Sequence, residues 1–180
     1  EEFAGGDGFN GKPVLQFTYQ ITMNNNNVSA WNTTNVSTPM FGVLQGKYDS
    51  YFRTLASQIK AYGHPVLFRL NNEMNSDWTS YCGMMTLVDP EIFIEVWRHI
   101  YELFREEGVD NCIWIFNPIA DSCPFSNWGE DLAYYPGNEY VQALGATNYV
   151  MGNSVPFNSF RSSYTQVFNE NRAVFASMPW

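Results

Sequence analysis

Apolar residues recur along this chain with two periods. Over 46–63, Tyr48, Phe52, Leu55, Ala56 and Ile59 fall at helical spacing, and Gly63 suits the residue just past a helix end. The same spacing is longest over 89–108, where Ile92, Phe93, Val96, Trp97, Ile100, Leu103 and Phe104 share one face. There Asp89 fits an N-cap, Pro90 the first helical position, Glu91 the first turn and Gly108 the stop. A third helical pattern covers 163–176. Between these lie short β-branched and aromatic runs at 12–21, 64–70, 111–119 and 140–146, which read as strands. "MPW" at the end reads as the start of another strand. Residues 22–39 form an Asn/Ser/Thr tract around Trp31, a long loop.

Strands alternating with helices predict parallel strands joined by helical crossovers. The strands are almost wholly apolar, which predicts cover on both faces. Two architectures satisfy this pattern, a doubly wound sheet and a (β/α) barrel. All 180 residues fit one domain with a real core.

Composition narrows the partners. Net charge is -9 and the nine Lys and Arg are scattered, so there is no basic surface for phosphates; nucleic acid is excluded as a partner. No run of about 18 apolar residues exists, so membrane insertion is not expected. The start "EEFAGGDGFNG" is acidic and Gly-rich, unlike a signal peptide, and lacks an initiator Met, so the chain reads as a mature or excised piece. Cys82, Cys112 and Cys123 make no CxxC pair and no zinc spacing, and no metal or cofactor is implied. Aromatic residues reach 17%. Core packing accounts for most, yet Trp78, Tyr81 and Trp128 sit in polar stretches, "SDWTSY" and "SNWGEDLAYY", where flat rings suit sugar stacking.

Several chemistries fall away on spacing. "GDGFNG" matches G-x-G-x-x-G, but a strand follows it instead of preceding it, so it reads as a turn. There is no G-x-S-x-G elbow. His64 starts a strand, the wrong end for chemistry in parallel α/β folds, and His99 lies on the long helix; both read as structural. Among the acids, Glu1, Glu2, Glu102, Glu106 and Glu107 belong to a terminus or a helix face, and Asp49 and Asp89 to helix starts. Glu73, in "RLNNEMNSDW", differs. It follows the C-terminal end of the run "PVLFRL", with Asn72 beside it to bond a sugar hydroxyl and Trp78 to stack. Asp121 follows the next strand in the same way and is the second acid of interest.

"HPVLFRLNNEMNSDW", "IWIFNPI" and "YYPGNEYVQALGATNY", preceded by the helix "GKYDSYFRTLASQIKAYG", resemble family 26 glycoside hydrolases. This is the β-mannanase group of the retaining glycosidase clan with (β/α)8 TIM-type barrels. The resemblance runs from Gly46 to Tyr149 and more loosely to Trp180. It implies a partial barrel spanning about strands 3 to 6. It places Glu73 on the family's acid/base at the end of strand 4, Trp78 on an active-site tryptophan, and Tyr149 on a tyrosine that contacts the nucleophile. Asn72, Tyr81 and Trp128 complete the expected substrate contacts. The chain departs from the family at Asn72, where His is usual, and at Ser76, where Gly is usual. That bears on mannan preference more than on chemistry.

The family's nucleophile is a Glu at the end of strand 7, which the strand count puts beyond Trp180; by itself the chain is expected to hydrolyse little. The expected function is a retaining endo-β-glycanase, secreted or at the cell surface, acting on plant-type β-1,4-linked polysaccharide. Mannan, xylan and mixed-linkage glucan stay open. The alternative is a non-catalytic carbohydrate-binding or cell-surface protein on the same scaffold, with a doubly wound domain for another ligand ranked last. Three placements follow. Glu73 shares a cleft with Asn72 and Trp78. Tyr149 points into that cleft, its hydroxyl facing water or a gap; a bond to a carboxylate of this chain would instead mean a different strand count and a second catalytic acid, with Asp121 the candidate. Cys82 and Cys123, in loops after consecutive strands, pair as a disulfide while Cys112 stays a thiol, the alternative being three thiols.

Overall fold

The computed structural model describes residues 14–22, 38–120 and 123–149, together with 164, 165, 167–169, 171, 172, 178 and 179. Four strands form its sheet: β1 (Leu15–Tyr19), β2 (Val66–Leu70), β3 (Cys112–Phe116) and β4 (Ala143–Leu144). All neighbours pair in parallel, and the spatial order is the chain order, β1-β2-β3-β4. That order decides between the two architectures. A doubly wound sheet reverses its strand order at a switch point. Strands laid down one after another, with right-handed crossovers, put every helix on the same face, as in a barrel wall.

The helices are α1 (Pro39–Leu44), α2 (Asp49–Tyr62) and α3 (Pro90–Glu106), and α2 and α3 pack on each other. The two long ones lie where their periodicity puts them. Gly63 ends α2 at φ 68°, in the left-handed region, with its N–H on the Lys60 carbonyl. Asp89 caps α3, its side chain accepting the Glu91 N–H at 3.0 Å. Helix α1 is a difference from the sequence reading, which put the end of a loop there. Its six residues are too few to show a period, and it starts on Pro39 with the Thr38 hydroxyl accepting the Met40 N–H. Strand β4 is shorter than the apolar run 140–146 because Asn138–Tyr140 is a 3-10 turn. Beyond β4 the described residues between 164 and 172 are helical, within the expected 163–176.

One indole holds the helix layer to the sheet. Trp114 on β3 meets Phe68 of β2 at 4.8 Å between centroids, and Phe104, Tyr101 and Trp97 of α3 at 5.1, 5.2 and 5.5 Å. Most of these contacts are edge-on or tilted, the arrangement the ring quadrupoles favour. Trp97 also donates its Nε1–H to the Tyr140 carbonyl at 3.1 Å, tying α3 to the chain entering β4.

Cover on both sheet faces is not what the described residues provide. Val66, Phe68 and Leu70 are buried beneath the helices, whereas Leu67 and Arg69, on the opposite face, are only partly buried and β1 is largely exposed. The apolar strand runs reflect a sheet whose second face meets no complete layer among the described residues. A groove of about 580 Å³ opens between β1 and α2, lined by Leu15, Phe17, Leu55, Ile59, Tyr62 and Val66. It lies toward the strand starts, away from Glu73.

The expected disulfide is absent: all three cysteines are free. Cys82 is fully buried at the head of a 3-10 turn, while Cys123 sits in the outer loop, its N–H held by the Asn75 carbonyl at 3.2 Å. Burial pushes the Cys112 thiol up to about 12, so it stays protonated and unreactive.

Two outcomes follow from this packing. In urea denaturation, Trp97→Ala should destabilise by about 3–5 kcal/mol through the cavity it leaves, and Asp89→Ala by about 1 kcal/mol through the lost cap. Thiol titration in denaturant should count three reactive groups, and the native protein should show Cys82 and Cys112 reacting far more slowly than Cys123.

Candidate active site

The chain does not leave β2 in extended form. Asn71 and Glu73 both adopt left-handed backbone, at φ 46° and 60°. Asn tolerates that region through its short polar side chain. Glu does not, and a strained non-glycine residue at a strand end is a mark of functional sites. Every neighbour holds the turn. The Asn71 N–H donates to Tyr19 O, and Asn71 Oδ1 accepts the Ile21 N–H, both at 2.8 Å. The Glu73 N–H donates to Asn117 O at 2.8 Å, and its carbonyl accepts the Ser76 hydroxyl at 2.7 Å. Asn75 pairs with Ile119 as a strand residue would, accepting its N–H at 2.8 Å and donating to its carbonyl at 3.0 Å. The amides of "NNEMN" are therefore mostly structural, buried links between consecutive strand ends.

The Glu73 side chain is only 7% exposed, and Asn72 beside it is similarly buried. Both lie at the C-terminal edge of the parallel sheet, the end where such folds place their chemistry. Tyr149 reaches the same point from the segment after β4. Its hydroxyl lies 2.8 Å from Glu73 Oε1 and 3.0 Å from Oε2. The hydroxyl was expected to face water or a gap; it is instead bound to the Glu73 carboxylate. A bond to a carboxylate of this chain counts against that expectation; the carboxylate is Glu73 itself, the strand order remains β1-β2-β3-β4, and no second acid joins the contact among the described residues, which do not include Asp121. The cause lies two residues earlier. Thr147 is fixed by its N–H to Pro118 O at 2.9 Å and by its hydroxyl, which accepts from Asn117 Nδ2 at 3.0 Å. That tether returns the chain over Glu73.

The bond to Glu73 is the main cause that raises the Tyr149 phenol above its ordinary range; desolvation and the Glu73 charge add to it, and Arg69 opposes it. Arg69 projects from β2, with Nη1 on Asn117 Oδ1 at 3.0 Å and Nε on Thr18 Oγ1 at 3.1 Å. Neither Arg69 nor Asn117 stood out in the sequence. An Arg within an apolar run was the available signal.

The aromatic residues divide. Trp78 is 49% exposed on the rim five residues past Glu73, free to stack. Tyr81 is a correction: it is 1% exposed, and its hydroxyl donates to Asn72 O at 2.7 Å, so its ring is core and not an open stacking face. Trp128 is partly buried against Gly83; a Cβ there would stand 2.7 Å from its ring and overlap the Tyr134 hydroxyl. Phe125, 91% exposed on the loop after β3, is an open ring that the sequence reading passed over. Asp121, Trp31 and Trp180 lie outside the described residues. His99 bonds Asp49 at 2.7 Å between α2 and α3, a structural role, and among the described residues no His, Cys, Asp and Glu group forms a metal cluster.

Comparisons with known proteins converge on one lineage. The profile of glycosyl hydrolase family 26 matches residues 16–178. Endoglucanase H of Acetivibrio thermocellus is 33% identical over 138 residues, which is 76% of this chain and 15% of that protein. A mannan endo-1,4-beta-mannosidase of Bacillus subtilis is 32% identical over 99 residues, 52% of this chain and 26% of that enzyme. The chain thus spans about a quarter or less of the length of these relatives. Among solved structures, a Cellulomonas fimi endo-beta-1,4-mannanase double mutant superposes with a TM-score of 0.66 at 19% identity, covering 89% of this chain and 37% of that one. The catalytic domain of a Bacillus sp. endo-beta-1,4-mannanase gives 0.61 at 23% identity, covering 81% and 39%. At these identities the superpositions speak for the fold, a (β/α)8 barrel of which this chain supplies a part.

The tyrosine contact makes a measurable prediction. In a tyrosinate absorbance titration, Tyr149 should ionise above the other exposed tyrosines. Glu73→Gln should bring it back toward the ordinary value, since a neutral amide no longer holds the phenolic proton. A Tyr149 signal that is indifferent to this substitution would rule out the contact in solution.

Proposed function

This chain belongs to glycosyl hydrolase family 26, and on that premise we propose that it carries the acid/base half of a retaining endo-β-glycanase acting on β-1,4-mannan-type polysaccharide. The observation behind this reading is Glu73: a nearly buried carboxyl group on a strained turn at the C-terminal end of a parallel strand, bonded by Tyr149. In this role Glu73 protonates the glycosidic oxygen as the leaving sugar departs, then takes a proton from the water that releases the glycosyl-enzyme. Tyr149 and Asn72 hold its surroundings polar, and Trp78 offers a stacking face to a sugar ring.

A retaining mechanism needs a second carboxyl group about 5–5.5 Å from the first. Among the described residues, Tyr149 is the group that bonds the Glu73 carboxylate, and no other acid does. We assign the nucleophile to the strand after β4, beyond residue 180. The Leu144 N–H donating to Pro179 O at 2.9 Å supports that strand's position against β4. A mannan-type substrate accords with what the Bacillus subtilis relative is named for. A polymer of that size does not cross a membrane, so the reaction belongs outside the cell.

Glu73→Gln, made in the protein that carries this chain, should lower kcat on mannan by at least about 10²-fold while retention in a mannan-containing gel persists. Undiminished hydrolysis by that variant would sink the assignment. Binding without hydrolysis in the unaltered protein would favour a carbohydrate-binding role.

A further inference from the structure

We infer that Gln20 and Tyr81 fix the orientation of the Asn72 amide so that its NH2 group, and not its carbonyl, is turned away from Gln20 and left open, making Gln20 a positioning residue for recognition of a sugar hydroxyl. The recognition rests on the function proposed above; the orientation does not.

The argument is a count of protons. Tyr81 is buried, and its hydroxyl has one hydrogen to give. That hydrogen goes to the Asn72 backbone carbonyl, 2.7 Å away. Toward any further partner Tyr81 is therefore an acceptor. The partner is Gln20, 3.0 Å away, which must meet it with Nε2. The same Nε2 stands 3.0 Å from the Asn72 side chain. An NH2 facing an amide requires the oxygen of that amide, so Asn72 must turn Oδ1 toward Gln20. Reversing either amide would set two donors or two acceptors face to face across a partly buried contact.

Two groups are left over. Asn72 Nδ2 has no partner among the described residues, yet it is not among the fully sealed atoms that lack one, so it stays open to a ligand. Gln20 is exposed at the end of β1, and its Oε1 likewise has no partner among the described residues. Together they offer one donor and one acceptor on adjacent strand ends. A hydroxyl accepts as well as donates, so the Asn72 NH2 can meet a sugar hydroxyl as its donor while Gln20 acts through Asn72. Gln20 is held in place for this: the next residue, Ile21, donates its N–H to Asn71 Oδ1 at 2.8 Å and accepts the Ser80 hydroxyl at 2.8 Å.

The test uses side-chain amide NMR of the full 15N-labelled chain. Without ligand, the Gln20 Nε2 protons should exchange with water more slowly than the Asn72 Nδ2 protons; the reverse order overturns the orientation. With β-1,4-mannohexaose as probe, the Asn72 Nδ2 resonance should shift. Gln20→Met, which removes the lock without adding charge, should abolish that shift and weaken binding by about threefold to tenfold, the worth of one hydrogen bond. The melting temperature should barely move, which separates positioning from folding. Bound glycan with an unchanged Asn72 resonance, or unaltered affinity in Gln20→Met, overturns the positioning role. If the exchange order holds but no mannan or glucan oligosaccharide binds, the orientation is supported and the proposed function fails.

Discussion

Glu73 cannot hold a backbone φ of 60° by itself. For a residue with a long side chain that conformation costs about 1–3 kcal/mol, and it survives only where the surroundings over-determine it. The surroundings here are amides. Asn71 takes the Ile21 N–H, Asn117 O takes the Glu73 N–H, and Asn75 exchanges two bonds with Ile119. These links run from β1 through β2 to the segment after β3, so the turn carrying the carboxylate is tied to both neighbouring strand ends. Released from them, the turn would relax to an ordinary loop and Glu73 would swing into solvent. The geometry of the Glu73 carboxylate thus depends on buried polar residues at the neighbouring strand ends.

Such a clamp is useful only on a rigid base. The aromatic cluster around Trp114 supplies it, with Phe68, Trp97, Tyr101 and Phe104 fixing α3 across β2 and β3. Interiors packed at this density resist small displacements. The division of labour runs along the strand axis. Apolar rings on the helix face hold β2 and β3 in register, and amides at their C-terminal ends aim the side chains. The groove between β1 and α2, by contrast, is lined by apolar side chains and offers no convergent polar groups near Glu73.

Periodicity located both long helices because each buries a continuous face, and the parallel sheet followed from their alternation with strands. It missed α1, whose six residues complete less than two turns. Glu73 was legible because a lone carboxylate after an apolar strand is chemically conspicuous. Asn71 and Asn75 were not separable from Asn72, since three amides in one loop look alike until their partners are known. Tyr81 looked like a sugar platform because its neighbours are polar, yet its ring is core and only its hydroxyl matters. The disulfide failed for a similar reason: both loops follow consecutive strands, but Cys82 turns inward and Cys123 outward. Strand order is encoded by pattern, whereas which way a loop side chain turns is decided by long-range hydrogen bonds.

The pairing of Tyr149 with Glu73 adds a constraint on charge. A phenol raised above its usual range stays protonated across the pH values where a carboxyl group changes state. Tyr149 therefore remains a donor, and its one hydrogen lies between the two Glu73 oxygens, 2.8 and 3.0 Å away. Both partners of this bond are placed by strand ends. Thr147, two residues before the phenol, is held by its N–H on Pro118 O and by its hydroxyl, which accepts from Asn117 Nδ2. Glu73 is held by its N–H on Asn117 O and by the Ser76 hydroxyl on its carbonyl. Asn117 thus anchors both sides of the contact, the carboxylate through its backbone carbonyl and the phenol through its side-chain amide.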